Sequence, residues 1–60
     1  MFLVEIYIMQ VPYPILKRIE VPYEQAAYDT AARYYLDPSV QGYRITSPKG
    51  DVIDKKGVLQ

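Results

Sequence analysis

Hydrophobic positions along the chain change period as it proceeds. From Phe2 to Met9 they alternate, with Phe2, Val4, Ile6 and Ile8 on one face of an extended segment and Leu3, Glu5, Tyr7 and Met9 on the other. A period of two in β-branched and aromatic types predicts a strand. "QVPYP" breaks it, because Pro12 and Pro14 cannot both serve a paired ladder. "ILKRIEV" resumes it, with Ile15, Ile19 and Val21 on one side and Leu16, Arg18 and Glu20 on the other. Lys17 is out of place on the apolar side, where its stem can snorkel. Two such runs joined by a short connection read as an antiparallel hairpin.

Over "PYEQAAYDTAARYYLDP", residues 22–38, the period becomes helical. Pro22 suits a first helical turn, where a missing N–H costs nothing, and Glu24 suits the positive end of the helix dipole. Val21 is a poor cap, and the helix should stop near Leu36 because Asp37 precedes a proline. Ala27 and Ala31 lie about 40° apart around the axis and form a small-residue ridge. Tyr23 and Tyr34 flank it on one side, Tyr28 and Tyr35 on the other. Beyond the helix, "SVQG" reads as a turn, "YRITS" as a third strand, "SPKGD" as a tight turn and "VID" as a fourth strand, with "KKGVLQ" extending it or fraying. The expected architecture is a single α+β domain over residues 1–60, ββαββ, an antiparallel sheet with one helix on one face. Its expected core is Phe2, Val4, Ile6, Ile8, Ile15, Ile19, Val21, Ile45 and Val52, with Val58 as a further candidate.

Sixty residues are near the lower limit for burying a sufficient core, and with no cysteine or histidine neither a disulfide nor a histidine-bound metal is on offer as a staple. Self-association is one expected remedy. The lack of cysteine fits a reducing cytosol, so a cytoplasmic protein is expected. The apolar start has no basic flank, carries Glu5, and is too short to span a bilayer, so a strand is expected there and no membrane partner.

Seven basic and seven acidic side chains give zero net charge, which argues against binding that relies on neutralising phosphates. The charges are mildly uneven: residues 1–38 carry three positive and five negative, residues 39–60 four positive and two negative.

Catalytic chemistry has little to work with. Thr30, Ser39, Thr46 and Ser47 are the only hydroxyl residues besides tyrosine, and none sits in a nucleophile motif. Asp51 and Asp54 beside Lys55 and Lys56 lack the ligand count of a calcium loop, and Gly42, Gly50 and Gly57 are too far apart to cradle a phosphate. No catalytic, cofactor or metal residue is expected, and the chain does not read as an enzyme.

Binding is another matter. Four of seven tyrosines lie on the helix stretch, and a sheet of short strands cannot bury both flanks. Either Tyr28 with Tyr35 or Tyr23 with Tyr34 should stay exposed. Tyrosine is a large, rigid, amphipathic contact enriched at interfaces, so Tyr28, Tyr35, Arg33 and Tyr13 are the expected partner-binding anchors. The alternative is a nucleic-acid site on the C-terminal hairpin, using Arg44, Lys49, Lys55 and Lys56 with Tyr43 or Tyr7 as a stacking platform. Cross-strand pairing of Glu5 and Glu20 with Arg18 or Arg44 would account for several of those charges without a ligand. A third expectation concerns Phe2–Met9: at a sheet edge this strand would be a template for a second copy, giving a homodimer, or for another protein, whereas at the centre it would not.

The ββαββ order, the Ala- and Tyr-rich helix and the closing hairpin "YRITSPKGDVID" resemble small proteins with which phages and other mobile elements block host machinery, among them some anti-CRISPR proteins and some phage inhibitors of host RNA polymerase. The resemblance implies an inhibitor that occludes a surface of a host nucleic-acid-handling complex. The neutral charge departs from the strongly acidic DNA mimics of that group, so occlusion rather than mimicry is what it implies here.

Overall fold

The computed structural model describes residues 1–58. Four strands, β1 (Phe2–Ile8), β2 (Ile15–Val21), β3 (Val40–Thr46) and β4 (Val52–Gly57), form one antiparallel sheet in the order β2-β1-β3-β4. One helix, α1 (Glu24–Tyr35), covers one face, completing an α+β domain.

β1 lies at the centre, laddered to β2 on one side and β3 on the other. The edge position under which a second copy would pair with it therefore does not occur; the outer edges belong to β2 and β4. Central placement satisfies the backbone of the most apolar strand on both sides, the commonest way of hiding such a template.

The core is where the alternating face of β1 meets the alanine ridge. Val4 and Ile6 of β1, Ile45 of β3 and Ala27 and Ala31 of α1 are essentially inaccessible, joined by Val21, Val40 and Tyr43. Phe2, Ile8, Ile19 and Ile53 pack at its margin. Ile15, Val52 and Val58, expected inside, are exposed. The cause is where the helix lies: α1 packs over β3 and β1, touches edge strand β2 little and β4 not at all, and Val52 pairs with Thr46 on the face turned away from it.

Element ends also differ from the sequence pattern. α1 begins at Glu24 with extended Tyr23 as its cap and no side-chain capping bond, so Pro22 stays outside the helix. A short helix with a weak cap depends on tertiary packing, supplied here by Ala27 and Ala31. β3 starts at Val40, within the expected turn, because Val40 pairs with Ile8. β4 runs on through Lys55 and Lys56 to Gly57; Leu59 and Gln60 lie outside the described residues.

The end of β4 requires glycine twice. Gly57 has φ +69°, in the left-handed region. A Cβ on Gly42 would come 2.6 Å from the Lys56 carbonyl oxygen, so the two chains close to a distance only glycine permits.

Candidate functional site: the loop end of the sheet

The register assigns every charged side chain of the strands to a face and a level. On the face opposite α1, one row crosses the whole sheet: Arg18, Glu5, Arg44 and Lys55 on β2, β1, β3 and β4. Glu5 is buried at its centre. Its Oε2 accepts from Arg18 Nε at 3.2 Å and its Oε1 from Arg44 Nε at 2.8 Å. Both arginines keep solvent access, with side chains 66% and 37% exposed against 5% for Glu5. Of the expected pairings, Glu5 therefore takes both arginines, while Glu20 faces Leu3.

This geometry bears on the hairpin residues. Arg44 is committed to Glu5. Lys55 lies in the same row as Arg44, but Lys56 pairs with Tyr43 in the next row and falls on the opposite, helix-covered face. Lys49 sits in the β3–β4 turn. The four expected nucleic-acid residues thus do not share one surface. Neither expected stacking ring is available, since Tyr7 and Tyr43 are both buried. Tyr43 faces the helix, its ring edge-on to Tyr35 with centroids 5.4 Å apart. Its hydroxyl donates to Asp54 Oδ2 at 2.8 Å, and burial together with this bond pushes its pKa up to about 12.

The tyrosines divide differently from either expected pair. Tyr23 and Tyr35 are exposed, while Tyr28 and Tyr34 pack against the core margin, one from each flank. The Lys17 ammonium lies over the Tyr34 ring, 5.3 Å from its centroid, which gives the misplaced lysine of β2 a partner. Arg33 lies about 140° to 160° around the helix from Tyr28 and Tyr35, beside Tyr34 and Asp37, where the three line a hollow of about 290 Å³. The expected anchors therefore do not share one helix face. Tyr28 is mid-helix and half-buried.

What the fold does gather is an end. Ile8 pairs with both Ile15 and Val40, so the β1–β2 connection and the α1–β3 connection emerge at the same end of the sheet. The Met9 N–H donates to the Ser39 carbonyl oxygen at 2.8 Å, tying the two loops together. Beside exposed Gln10 and Asp37 they present large apolar side chains: Val11 is 93% exposed, Leu36 85% and Tyr13 67%, with Met9 and Ile15 beside them. Tyr35 and Arg33 close α1 at this same end. Three of the four expected anchors, Tyr13, Tyr35 and Arg33, thus meet here, by a route the helical wheel did not show.

The α1–β3 loop is braced, and the Met9–Ser39 bond ties the start of the β1–β2 loop to it. In the α1–β3 loop, Asp37 Oδ1 accepts from Ser39 N–H at 2.9 Å and Ser39 Oγ at 2.8 Å, and these bonds, the backbone one first, hold the Asp37 pKa below its usual value. Val40 N–H returns to the Asp37 carbonyl oxygen at 3.0 Å. Leu36 is accordingly presented next to a hydrogen-bonded turn.

The sequence pattern singles out Tyr13 and the helix tyrosines but not Val11 and Leu36, the two most exposed apolar positions of these loops. The signal was present as apolar residues next to prolines, in "MQVPYP" and "YLDP", where turn chemistry favours polar types.

No family model, curated protein or solved structure matches the chain. No helix among the described residues is long and apolar enough to cross a membrane.

Proposed function

We propose that this protein is a non-enzymatic protein-binding module whose docking surface is the loop end of its sheet. The observation that carries the reading is the set of exposed apolar side chains, Met9, Val11, Tyr13, Ile15 and Leu36, gathered at two adjoining loops joined by the Met9–Ser39 bond. Exposed apolar side chains gathered at one place are what a contact surface supplies. Tyr13, Tyr35, Met9 and Arg33 are residue types enriched where protein interfaces form, and the hydrogen-bonded α1–β3 loop reduces the ordering cost of binding.

The finer reading follows the resemblance of size and element order to phage-encoded inhibitors: the module caps a host nucleic-acid-handling complex in the cytoplasm and blocks it by occlusion. Direct nucleic-acid binding through Arg44, Lys49, Lys55 and Lys56 has less support, because Arg44 is engaged with Glu5 and the lysines diverge.

The test is affinity capture from nuclease-treated bacterial lysate with wild type and Leu36→Asp in parallel. A complex held by wild type and lost by Leu36→Asp, followed by inhibition of its activity, supports the reading. Equal capture by both proteins, or retention of nucleic acid alone before nuclease, contradicts it.

A further inference from the structure

The charges of this neutral chain are sorted along its long axis. A seven-residue strand spans about 23 Å, more than the 19 Å second dimension of the molecule, so the strands run with its 33 Å axis. Lys17 and Lys56 occupy the two edges of one row, either side of Ile6 and Tyr43, one level in from the loop end. Arg33 stands in the last turn of α1. Against these cations the loop end sets one carboxylate, Asp37, already committed to Ser39. Glu20, Glu24 and Asp51 lie toward the other end, with Lys49, while Asp54 stands one row in from Lys56 on the same face and Asp29 at mid-helix. The loop end is therefore an apolar tip with cationic shoulders.

Resting on the protein-binding reading above, we propose that the partner's contribution is an acidic peptide segment, with apolar side chains covering Val11, Tyr13 and Leu36 and carboxylates meeting Lys17, Arg33 and Lys56. A second copy is disfavoured because two loop ends head to head would bring like cations together. The hollow between Arg33, Tyr34 and Asp37 gives one anchoring side chain a place to enter, beside a guanidinium that makes no ion pair among the described residues.

The experiment is to pan a library of short random peptides on the immobilised full chain. Enriched peptides are then titrated against wild type, Leu36→Asp and the double variant Lys17→Glu with Arg33→Glu, each first checked for native circular dichroism. All three positions are solvent-exposed, so folded variants are expected. The expected result is peptides that combine aromatic or leucine side chains with excess Asp and Glu, weakened about tenfold or more by each variant and by raising salt. Neutral or basic peptides that lose binding with Leu36→Asp but ignore the charge reversal would overturn the acidic partner while leaving the docking surface standing. Peptides indifferent to Leu36→Asp, or no enrichment at all, would overturn both. Two controls share the same variants: binding to phosphatidylcholine–phosphatidylglycerol vesicles lost with Leu36→Asp, or concentration-dependent self-association in sedimentation velocity lost with it, would likewise assign the end to a bilayer or a second copy and overturn the peptide.

Discussion

Arg44 reaches Glu5 across the centre of the sheet, Nε to Oε1 at 2.8 Å, from a position 39 residues further along the chain. The contact joins β3, which follows the helix, to β1, which opens the fold. It also uses the cation on which a nucleic-acid site on the hairpin would depend most, so one pairing bears on both stability and function.

The two arms of this clamp should not be equivalent. Arg44→Ala removes two short contacts to Oε1 and leaves a buried carboxylate held only by the longer Arg18 bond. Losing one partner of a buried ion is the costly case, here moderated by the partial exposure of both arginines. Urea denaturation should show a loss of about 2 kcal/mol for Arg44→Ala and about 1 kcal/mol or less for Arg18→Ala. Equal losses would mean that Glu5 is solvated rather than clamped.

The alanine ridge sets how closely α1 lies on the sheet. Ala27 and Ala31 are buried against a core that includes Val4, Ile6 and Ile45, with no space for added methylenes. Ala31→Leu is expected to cost about 1 to 3 kcal/mol by overpacking, whereas Ala32→Leu, on the exposed face, should be nearly neutral. Thermal melts of the pair separate packing from helix propensity, which the two substitutions share.

This ridge is the part of the fold most legible in the sequence, because two alanines four apart between flanking tyrosines mark the line along which a helix can approach a sheet closely. The strands were legible through their own period: alternation in Phe2–Ile8 and Ile15–Val21 matches the observed elements. Strand order was not. Nothing local to residues 2–9 says whether the strand has one neighbour or two, since the second is supplied by Val40–Thr46 from beyond the helix. The site suffered from the same gap. A helical wheel places Tyr28 with Tyr35 and apart from Arg33, and only the pairing of Ile8 with both Ile15 and Val40 brings Tyr13, Arg33 and Tyr35 to one end.

Tyr43 should impose an alkaline limit on stability. Its pKa in the folded protein is pushed up to about 12, by burial first and then by the bond to Asp54, against an ordinary value near 10. The unfolded chain therefore loses this proton first as pH rises, so its contribution is intact below about pH 10 and is lost between about pH 10 and 12. Tyr43→Phe should cost about 1 kcal/mol at neutral pH through the lost hydrogen bond, and its stability should fall less steeply across that alkaline window. Parallel slopes for the two proteins in urea titrations from pH 9 to 12 would contradict the assignment.

Gly57 should resist substitution more than Gly50, although both have positive φ. A Cβ at Gly57 would run into the Gln41 carbonyl and come 2.9 Å from the Gly42 Cα, whereas at Gly50 it would meet nothing within 4 Å. Gly50→Ala should carry only the backbone penalty of about 1 kcal/mol; Gly57→Ala should cost clearly more and release the end of β4, seen as faster amide exchange at Val58, whose N–H bonds to Gln41.

The central claim is that the loop end, not the helix face or the closing hairpin, makes the contact. Amide hydrogen exchange on the captured complex, compared with the free protein, tests it most directly. The claim predicts new protection concentrated in residues 9–15 and 33–39, with the β3–β4 turn at residues 47–51 unchanged. Protection confined to residues 44–56 would contradict it and return the site to the basic hairpin.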